Sequence, residues 1–485
     1  MVKPQHIVEG IVNTQAGSVF AAVAVLVFAP PSLAQTVSRP AQAQQPHIVL
    51  FIADDHGWHD CGPYGNKDVR TPNLDRLAHE GMKYELAFAA SPTCTPSRSA
   101  IYTGLYPFRN GAHTNHSLVR DGLKTLPHYL GELGYRVVIA GKTHIGPRPV
   151  FPFEYLAESN VMPPGKNHVL WTDLNTRAVE RLLAEHDASR PLCLVVCSHS
   201  PHVYWLENDG YDPLRIELPP YLLDTRETRA ARCRYYTDVS WMDKQVGEVR
   251  AALEKYGYTD HTLFMFTADQ GAQWPFGKWN LYDAGIRAPL LVYWPGRTKS
   301  GSTTRAVVSL IDLLPTMIAA GGGTAPTDID GHSFLPVLLG RTDHHRDEVF
   351  AAHTGDNGMN RYPMRCIRTE RYKYILNLVP ETLYTTHITK GGDREGYWAS
   401  WPQLAKRNPE AAALVQRHDH RPAEELYDLK ADPFELKNLA ADPAMAELLS
   451  RLRERLRQWR LQQGEDLGKV PMPEDARFGP LRYAG

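Results

Sequence analysis

The chain has 485 residues, of which 43% are hydrophobic and 22% charged, and that globular composition excludes a disordered or low-complexity chain. Its 53 Lys and Arg against 54 Asp and Glu give a formal net charge of -1, without the basic surplus a broad nucleic-acid footprint needs, so no nucleic-acid partner is expected. Six cysteines are too few for a disulfide scaffold, and the length predicts two or three domains.

The first feature along the chain is an apolar stretch from Val12 to Pro30, densest from Val19 to Phe28, preceded by Lys3 and followed by Ser32-Leu33-Ala34. It is short and alanine-rich for a membrane span, and small residues occupy the first and third positions of the Ser-Leu-Ala triplet. This reads as a secretory signal over 1–34 cleaved after Ala34, with an uncleaved anchor as the alternative. Residues 35–46 are polar and rich in Pro, Ala and Gln, a linker composition. The mature chain is expected in a periplasm or outside the cell, off the membrane once the leader is removed.

The folded part begins with His47–Ala53, an apolar β-branched run that predicts a buried strand. Thr71-Pro72 predicts a helix start and Gly81 its stop. Further buried strands are expected at Arg136–Ala140, Leu192–Cys197, Thr262–Ala268 and Leu290–Tyr293, and helices at Leu126–Leu133, Leu174–Glu185, Arg229–Lys255 and Leu310–Ala319. The alternation predicts an α/β fold with a mostly parallel central sheet flanked by helices, over 47–345. Past about Gly340 the pattern changes to short strands at Val349–His353, Cys366–Arg368, Tyr372–Asn377 and Glu425–Leu429 and an amphipathic helix from about Met445 to Gln463. That predicts a smaller C-terminal α+β domain over 346–485.

Open α/β sheets bind ligands at the carboxyl ends of their strands. Asp54-Asp55-His56 follows the first strand, Gly141-Lys142-Thr143-His144 the second, Ser198-His199-Ser200-Pro201-His202 the third and Asp269-Gln270-Gly271 the fourth. In a parallel sheet these groups converge on one rim. Three aspartates and an amide oxygen are hard ligands that suit Ca²⁺ or Mg²⁺ better than zinc. Taken alone, Asp54-Asp55 reads first as a helix-capping or turn pair, the commoner fate of such dipeptides; two such strand ends in one chain shift the balance toward a metal. Cys94-Thr95-Pro96-Ser97-Arg98 places a cysteine just before a helix, with Thr95 as cap and Pro96 at its first position. Cys94 would face a positive helix end that favours an anion, with Arg98 one turn on. A buried structural cysteine is the alternative, and it leaves the rest of the string unexplained. Cys193 and Cys197, on one strand, read as buried packing and not as a metal pair.

Cys94-Thr-Pro-Ser-Arg98 followed by Thr103-Gly104, and Gly134-Tyr135 through Gly141-Lys142-Thr143-His144, resemble the two signatures of the type I sulfatases, relatives of alkaline phosphatase. The resemblance runs from about His47 to the last helix and implies an alkaline-phosphatase-like fold. It implies that a formylglycine-generating maturation enzyme oxidises Cys94 to formylglycine. The hydrated aldehyde would attack sulfur through one hydroxyl and release sulfate through the other. By motif position, Asp54, Asp55, Asp269 and Gln270, with residue 94, would hold Ca²⁺ or else Mg²⁺. Arg98 and Lys142 would balance charge, His144 would serve the second hydroxyl, His199 would protonate the leaving group, and Lys278 would bind the sulfate. Gln270 departs from the more usual Asn or His, and Thr143 from the more frequent aromatic residue.

Gly141-Lys-Thr-His-Ile-Gly-Pro147 continuing to Phe151-Pro-Phe153, Tyr362-Pro-Met-Arg365, and Glu425-Leu-Tyr-Asp-Leu-Lys-Ala-Asp-Pro433 are most similar to the heparan N-sulfatase (sulfamidase) branch. That branch implies an N-sulfoglucosamine substrate, with Arg365 pairing a sugar carboxylate or sulfate. Lysine at 278, where that branch carries arginine, keeps O-sulfate hydrolysis open. A phosphodiester or phosphonate monoester hydrolase of the same superfamily and a glycan-binding pseudoenzyme with an unconverted Cys94 are the rival classes.

Overall fold

The structure, a computed structural model, describes residues 45–162, 169–390 and 394–484. The expected leader (1–34) and all but the end of the expected linker (35–46) lie outside the described residues.

Six strands carry the main sheet: β1 (His47–Ala53), β2 (Met82–Phe88), β3 (Arg136–Ile145), β4 (Leu192–Cys197), β5 (Thr262–Ala268) and β6 (Arg287–Tyr293). Their spatial order is β2-β6-β5-β1-β4-β3, extended by Ser302–Thr304 beyond β2 and by Arg482–Ala484 beyond β3. Strands β3, β4, β1 and β5 are parallel, while β6 runs antiparallel to both β5 and β2. The sheet is thus mostly parallel, as expected. Every residue of β1, β4 and β5 is buried, which is why these strands read as unbroken apolar runs without alternation. Two groups of helices cover the sheet. Pro72–Glu80 and Thr176–Glu185 both pack on the long helix Arg226–Lys255; Cys94–Thr103 and Leu126–Glu132 both pack on Leu313–Ala320.

Register decides where the chemistry sits. Ala53 pairs with Ala268, Ile52 with both Cys197 and Thr267, and Gly141 with Cys197. The strands therefore end level, and Asp54, Lys142, Ser198 and Asp269 emerge along one rim. Gly141 is required there: its φ is +82 and a Cβ would stand 1.9 Å from the Cys197 carbonyl oxygen.

Three expectations are corrected. Strand β3 runs on to Ile145, so Lys142 and His144 belong to the strand itself and not to a loop after it. The helix at the cysteine motif is Cys94–Thr103 with Thr93 as its N-cap; Cys94 is its first residue, and Thr95 and Pro96 lie inside its first turn. Strands Met82–Phe88 and Arg482–Ala484 were not expected.

A second sheet of four antiparallel strands, Glu348–His353, Met364–Thr369, Tyr372–Asn377 and Glu424–Asp428, follows in simple order. Helix Ala446–Gln462 packs on it through Leu449, Leu452, Leu456 and Trp459. Buried ion pairs tie this sheet to the short helix Asp283–Ile286 that leads into β6: Lys373 Nζ lies 2.6 Å and Arg368 3.2 Å from Asp283, while Glu435, after the last strand of the second sheet, lies 2.8 Å from the same Lys373.

Candidate active site

The rim opens into a cavity of about 450 Å³ whose floor includes Asp54, Cys94, Lys142, His144, His199, His202 and Lys278. Sequence reading thus placed most of the floor, although the residues come from five segments. Strand β1 delivers Asp54 and Asp55, and Asp55 has φ +60, a left-handed backbone held while its N–H donates to Asp269 Oδ1 at 3.1 Å. Strand β5 delivers Asp269 and Gln270. The helix Cys94–Thr103 points its N-terminus at the carboxylates, and one of its orphan N–H groups, that of Thr95, is taken by Asn115 Oδ1 at 3.2 Å.

Asp54, Asp269 and Cys94 offer ligand atoms all within 4.8 Å of one another, and so do Asp55, Cys94 and His202. Cys94 Sγ lies 3.6 Å from Asp54 Oδ1, 3.9 Å from Asp55 Oδ1 and 3.3 Å from Gln270 Nε2. Gln270 Oε1 is buried with no hydrogen-bond partner. Converging carboxylates around residue 94 fit a hard divalent cation. Gln270 lies against the same cluster, but it turns its Nε2, which donates to Asp55 Oδ1, toward it; its unpartnered Oε1 would join the ligands only with the amide turned over.

Cations interleave with the acids. Arg98 Nε donates to Asp269 Oδ2 at 2.8 Å and its Nη2 to Asp54 Oδ1 at 3.3 Å. Lys142 Nζ pairs with Asp54 and stands 3.8 Å from Cys94 Sγ; Lys278 Nζ donates to Asp55 Oδ2 at 2.7 Å. Arg98, Asp54, Asp55 and Asp269 are fully buried. Burial opposes ionisation of Asp54, but Lys142, His202 and Arg98 outweigh it and hold this carboxyl well below the usual range. Burial pushes Asp55 up, and pushes Asp269 to about 7 against the pull of Arg98. Burial also pushes the Cys94 thiol up, against Lys142 and Lys278. Three acids against three cations leave the floor formally neutral; a divalent ion would make it positive, which suits an oxyanion.

His199 is half-buried in the same floor. Its Nε2 donates to Asn160 Oδ1 at 2.7 Å, because the Asn160 amide nitrogen is turned to the Gly141 carbonyl at 3.3 Å. Desolvation and then Lys142 pull its pKa down to about 3, so it is neutral in the resting site.

Arg365 does not belong here. It is fully buried in the second sheet, donates to Glu465 Oε2 at 2.9 Å and to the His353 and Met364 carbonyls at 2.8 and 2.7 Å, and stacks 4.5 Å over Phe108. Its conformation is used up by structure, and the expected sugar contact is withdrawn. Three residues were passed over. His202, 3.6 Å from Asp55 Oδ2, stood in the string after β4 and carried a signal. His116 and Asp356, both lining the cavity, carried none.

The walls above the floor are aromatic and apolar: Trp171 stacks on Tyr204 at 4.9 Å, and Trp241, Leu206 and Trp279 continue the lining. Such walls suit the flat faces of a ring-bearing ligand, while the floor suits its anion.

Comparison with known proteins agrees with this chemistry. The model of the sulfatase family matches residues 46–323, and that of the N-sulphoglucosamine sulphohydrolase C-terminal region matches residues 271–385. An ulvan-active sulfatase of Formosa agariphila is 32% identical over 434 residues, covering 88% of this chain and 82% of the relative. Human N-sulphoglucosamine sulphohydrolase is 30% identical over 475 residues, covering 86% of this chain and 90% of that protein. Among solved structures, a protein in complex with its substrate D-glucosamine-2-N,6-O-disulfate superposes with a TM-score of 0.64 at 21% identity, over 87% of this chain and 98% of that one. The phosphonate monoester hydrolase of Agrobacterium radiobacter superposes with a TM-score of 0.65 at 21% identity, over 86% and 96%. The fold is therefore the alkaline-phosphatase-like fold of sulfatases. The chain belongs to the sulfatase family, and its class is that of a sulfatase hydrolase.

Proposed function

We propose that the protein removes sulfate from a sulfated sugar, with the N-sulfoglucosamine units of heparan sulfate or heparin fragments as substrate. The observation that carries the hydrolytic reading is the convergence of Asp54, Asp269 and residue 94 within 4.8 Å at the base of the cavity. The sugar rests on the aromatic walls, and the choice of N-sulfoglucosamine on the match of the C-terminal region and on the human relative. An O-sulfate ester is the second reading, favoured by Lys278 and by the ulvan-active relative.

Asp54, Asp55, Asp269 and Gln270 would hold Ca²⁺, or Mg²⁺ in its place, beside residue 94, and the ion would supply charge that acidifies a hydroxyl and neutralises a sulfate oxygen. Residue 94, once converted to formylglycine by a maturation enzyme, would supply as its hydrate a nucleophilic hydroxyl and a second one that releases sulfate. Around it, Lys142 and Arg98 hold Asp54 as an anion, Arg98 also donates to Asp269, and both cations keep their N–H groups at the rim where charge develops. Lys278 holds Asp55 and presents its ammonium to the incoming anion. His199 is neutral at rest and takes up a proton only when the anion arrives, which confines proton donation to the occupied site. We further propose that residues 1–34 direct export, so that the enzyme works in the periplasm or outside the cell.

The test is a desulfation screen on defined heparin disaccharides and ulvan oligosaccharides, scored by which sulfate disappears, beside matched aryl sulfates and phosphodiesters. Loss of the N-sulfate supports the substrate assignment, and exclusive loss of an O-sulfate transfers it to the second reading. Faster phosphodiester cleavage refutes both. The intact mass of the residue-94 peptide reads aldehyde against thiol; an active enzyme with an unmodified thiol ends the formylglycine assignment.

A further inference from the structure

Asp238 takes no part in the chemistry proposed for the floor. It stands on the long helix Arg226–Lys255, is buried, and lines the same cavity. Among the described residues it forms no ion pair; Ser200 Oγ donates to its Oδ1 at 3.2 Å. Two other acids act on it, Asp173 and Glu395, and both are already paired. Asp173 accepts from Trp241 Nε1 at 2.5 Å and from Gln245 Nε2 and the Leu174 N–H, each at 2.7 Å. Glu395 lies 2.8 Å from Arg234 and accepts from the Trp205 N–H at 3.2 Å. Burial and then Asp173 push the Asp238 carboxyl well above the usual range, against the Ser200 hydrogen bond.

The placement is held from two sides. The Ser200 N–H donates to Ser198 Oγ at 2.9 Å, and Ser198 Oγ donates to Gln245 Oε1 at 2.7 Å. The Ser200 carbonyl accepts from the Asp54 N–H at 3.2 Å, so one network runs from this wall to the floor. Trp241 follows Asp238 by three residues and shares its face of the helix. Trp241 also lines the cavity, 38% exposed, with its indole N–H fixed on Asp173. A buried carboxyl without a counter-charge costs stability, and such a group in a cleft marks a functional position. In its neutral form it both gives and accepts a hydrogen bond, as an alcohol hydroxyl does. An aromatic face beside such an acid matches a sugar ring, which offers a C–H face and hydroxyls at its edge.

We propose that Asp238 is a specificity-determining residue that hydrogen-bonds one ring hydroxyl of the sugar, with the ring lying against Trp241. The inference rests on the sulfated-sugar reading given above. No bond is made or broken at Asp238. It holds a hydroxyl and not the sulfate, so it governs which sugars are held in the cavity and how they are turned, while the chemistry stays at residue 94.

The test pairs a change in the protein with a change in the sugar. The parent enzyme and Asp238→Ala are each assayed on N-sulfoglucosamine and its monodeoxy analogues, or on the O-sulfated sugar and its analogues where the desulfation screen selects that one. Asp238→Ala should lower kcat/KM for the intact sugar by about 10-fold or more. One monodeoxy analogue should lose about as much in the parent and nothing further in the variant, because the pair is then already broken. Losses that multiply for every analogue overturn the inference, as does an intact sugar turned over equally by both proteins. Urea unfolding separates this from a structural role: the Asp238→Ala midpoint should be unmoved or raised, since one long hydrogen bond is exchanged for relief of a buried acid. A lowered midpoint contradicts it. A parent active on aryl sulfates and on no sulfated sugar defeats the sugar reading and this inference with it, whereas a parent active on sugars with an uncoupled Asp238 defeats the inference alone.

Discussion

Replacing Arg365 by alanine separates a structural arginine from a substrate-binding one. The side chain is fully buried, its Nε pairs with Glu465 Oε2 at 2.9 Å and its Nη1 closes on two carbonyls at 2.8 and 2.7 Å. Removing one partner of a buried pair costs about 3–5 kcal/mol, because the other charge is left behind. Glu465 retains Arg460 at 2.8 Å, which holds the cost to the lower end of that range. The two stripped carbonyls add about 1 kcal/mol or more. We therefore expect a loss of about 3–5 kcal/mol in urea unfolding, with KM unchanged in the protein that remains folded. Glu465→Gln should soften the loss in the double variant by more than about 1 kcal/mol, since the stranded charge is then gone. An Arg365→Ala enzyme with an unmoved unfolding midpoint and a KM raised tenfold would refute this placement and restore the sugar contact.

Exhaustive chelation should abolish turnover and Ca²⁺ or Mg²⁺ should restore it, because Asp54, Asp55 and Asp269 otherwise crowd one another; full activity in a verified metal-free sample contradicts the ligand assignment. Lys278→Met strips Asp55 of a donor at 2.7 Å and removes a cation from the rim, and should lower kcat/KM by about 10²–10³-fold; a loss below threefold would place Lys278 outside the chemistry. Buried His353, whose pKa is pulled from 6.5 to about 4 by burial, is neutral in the fold and free to charge when unfolded. The unfolded chain then binds the extra proton between those values, so stability falls as pH drops from about 6.5 to 4. His353→Gln should remove about 2 kcal/mol of the loss seen between pH 7 and pH 5; equal pH slopes in the two proteins would show that His353 titrates normally.

How much of this was legible depends on how each residue is positioned. Asp54, Asp55, Asp269, Lys142 and His199 adjoin buried parallel strands, and an apolar run followed by a polar group marks such a place in one dimension. Register then brings them level, as the pairing of Ala53 with Ala268 shows. Element boundaries are less legible. The strand reaching Ile145 absorbs Lys142 and His144 because Gly141 lets β3 run close along Cys197 instead of ending. Arg365 was misplaced for a related reason: a charged residue in a motif reads as exposed, and only the fold reveals Glu465, 100 positions further along the chain, as its counter-charge.

His116 and Asp356 illustrate what one dimension hides altogether. Neither follows a strand of the main sheet, and no spacing links them. Asp356 follows strand Glu348–His353 of the second sheet, which Lys373 and Arg368 pin through Asp283 to the segment leading into β6. The smaller sheet is therefore not an appendage. It brings a buried carboxylate, Asp356, to the lining of the cavity that also holds Asp54. If that anion matters to the chemistry, the loss of either partner of the Lys373 pairs should carry into catalysis as well as stability, through the geometry at Asp356.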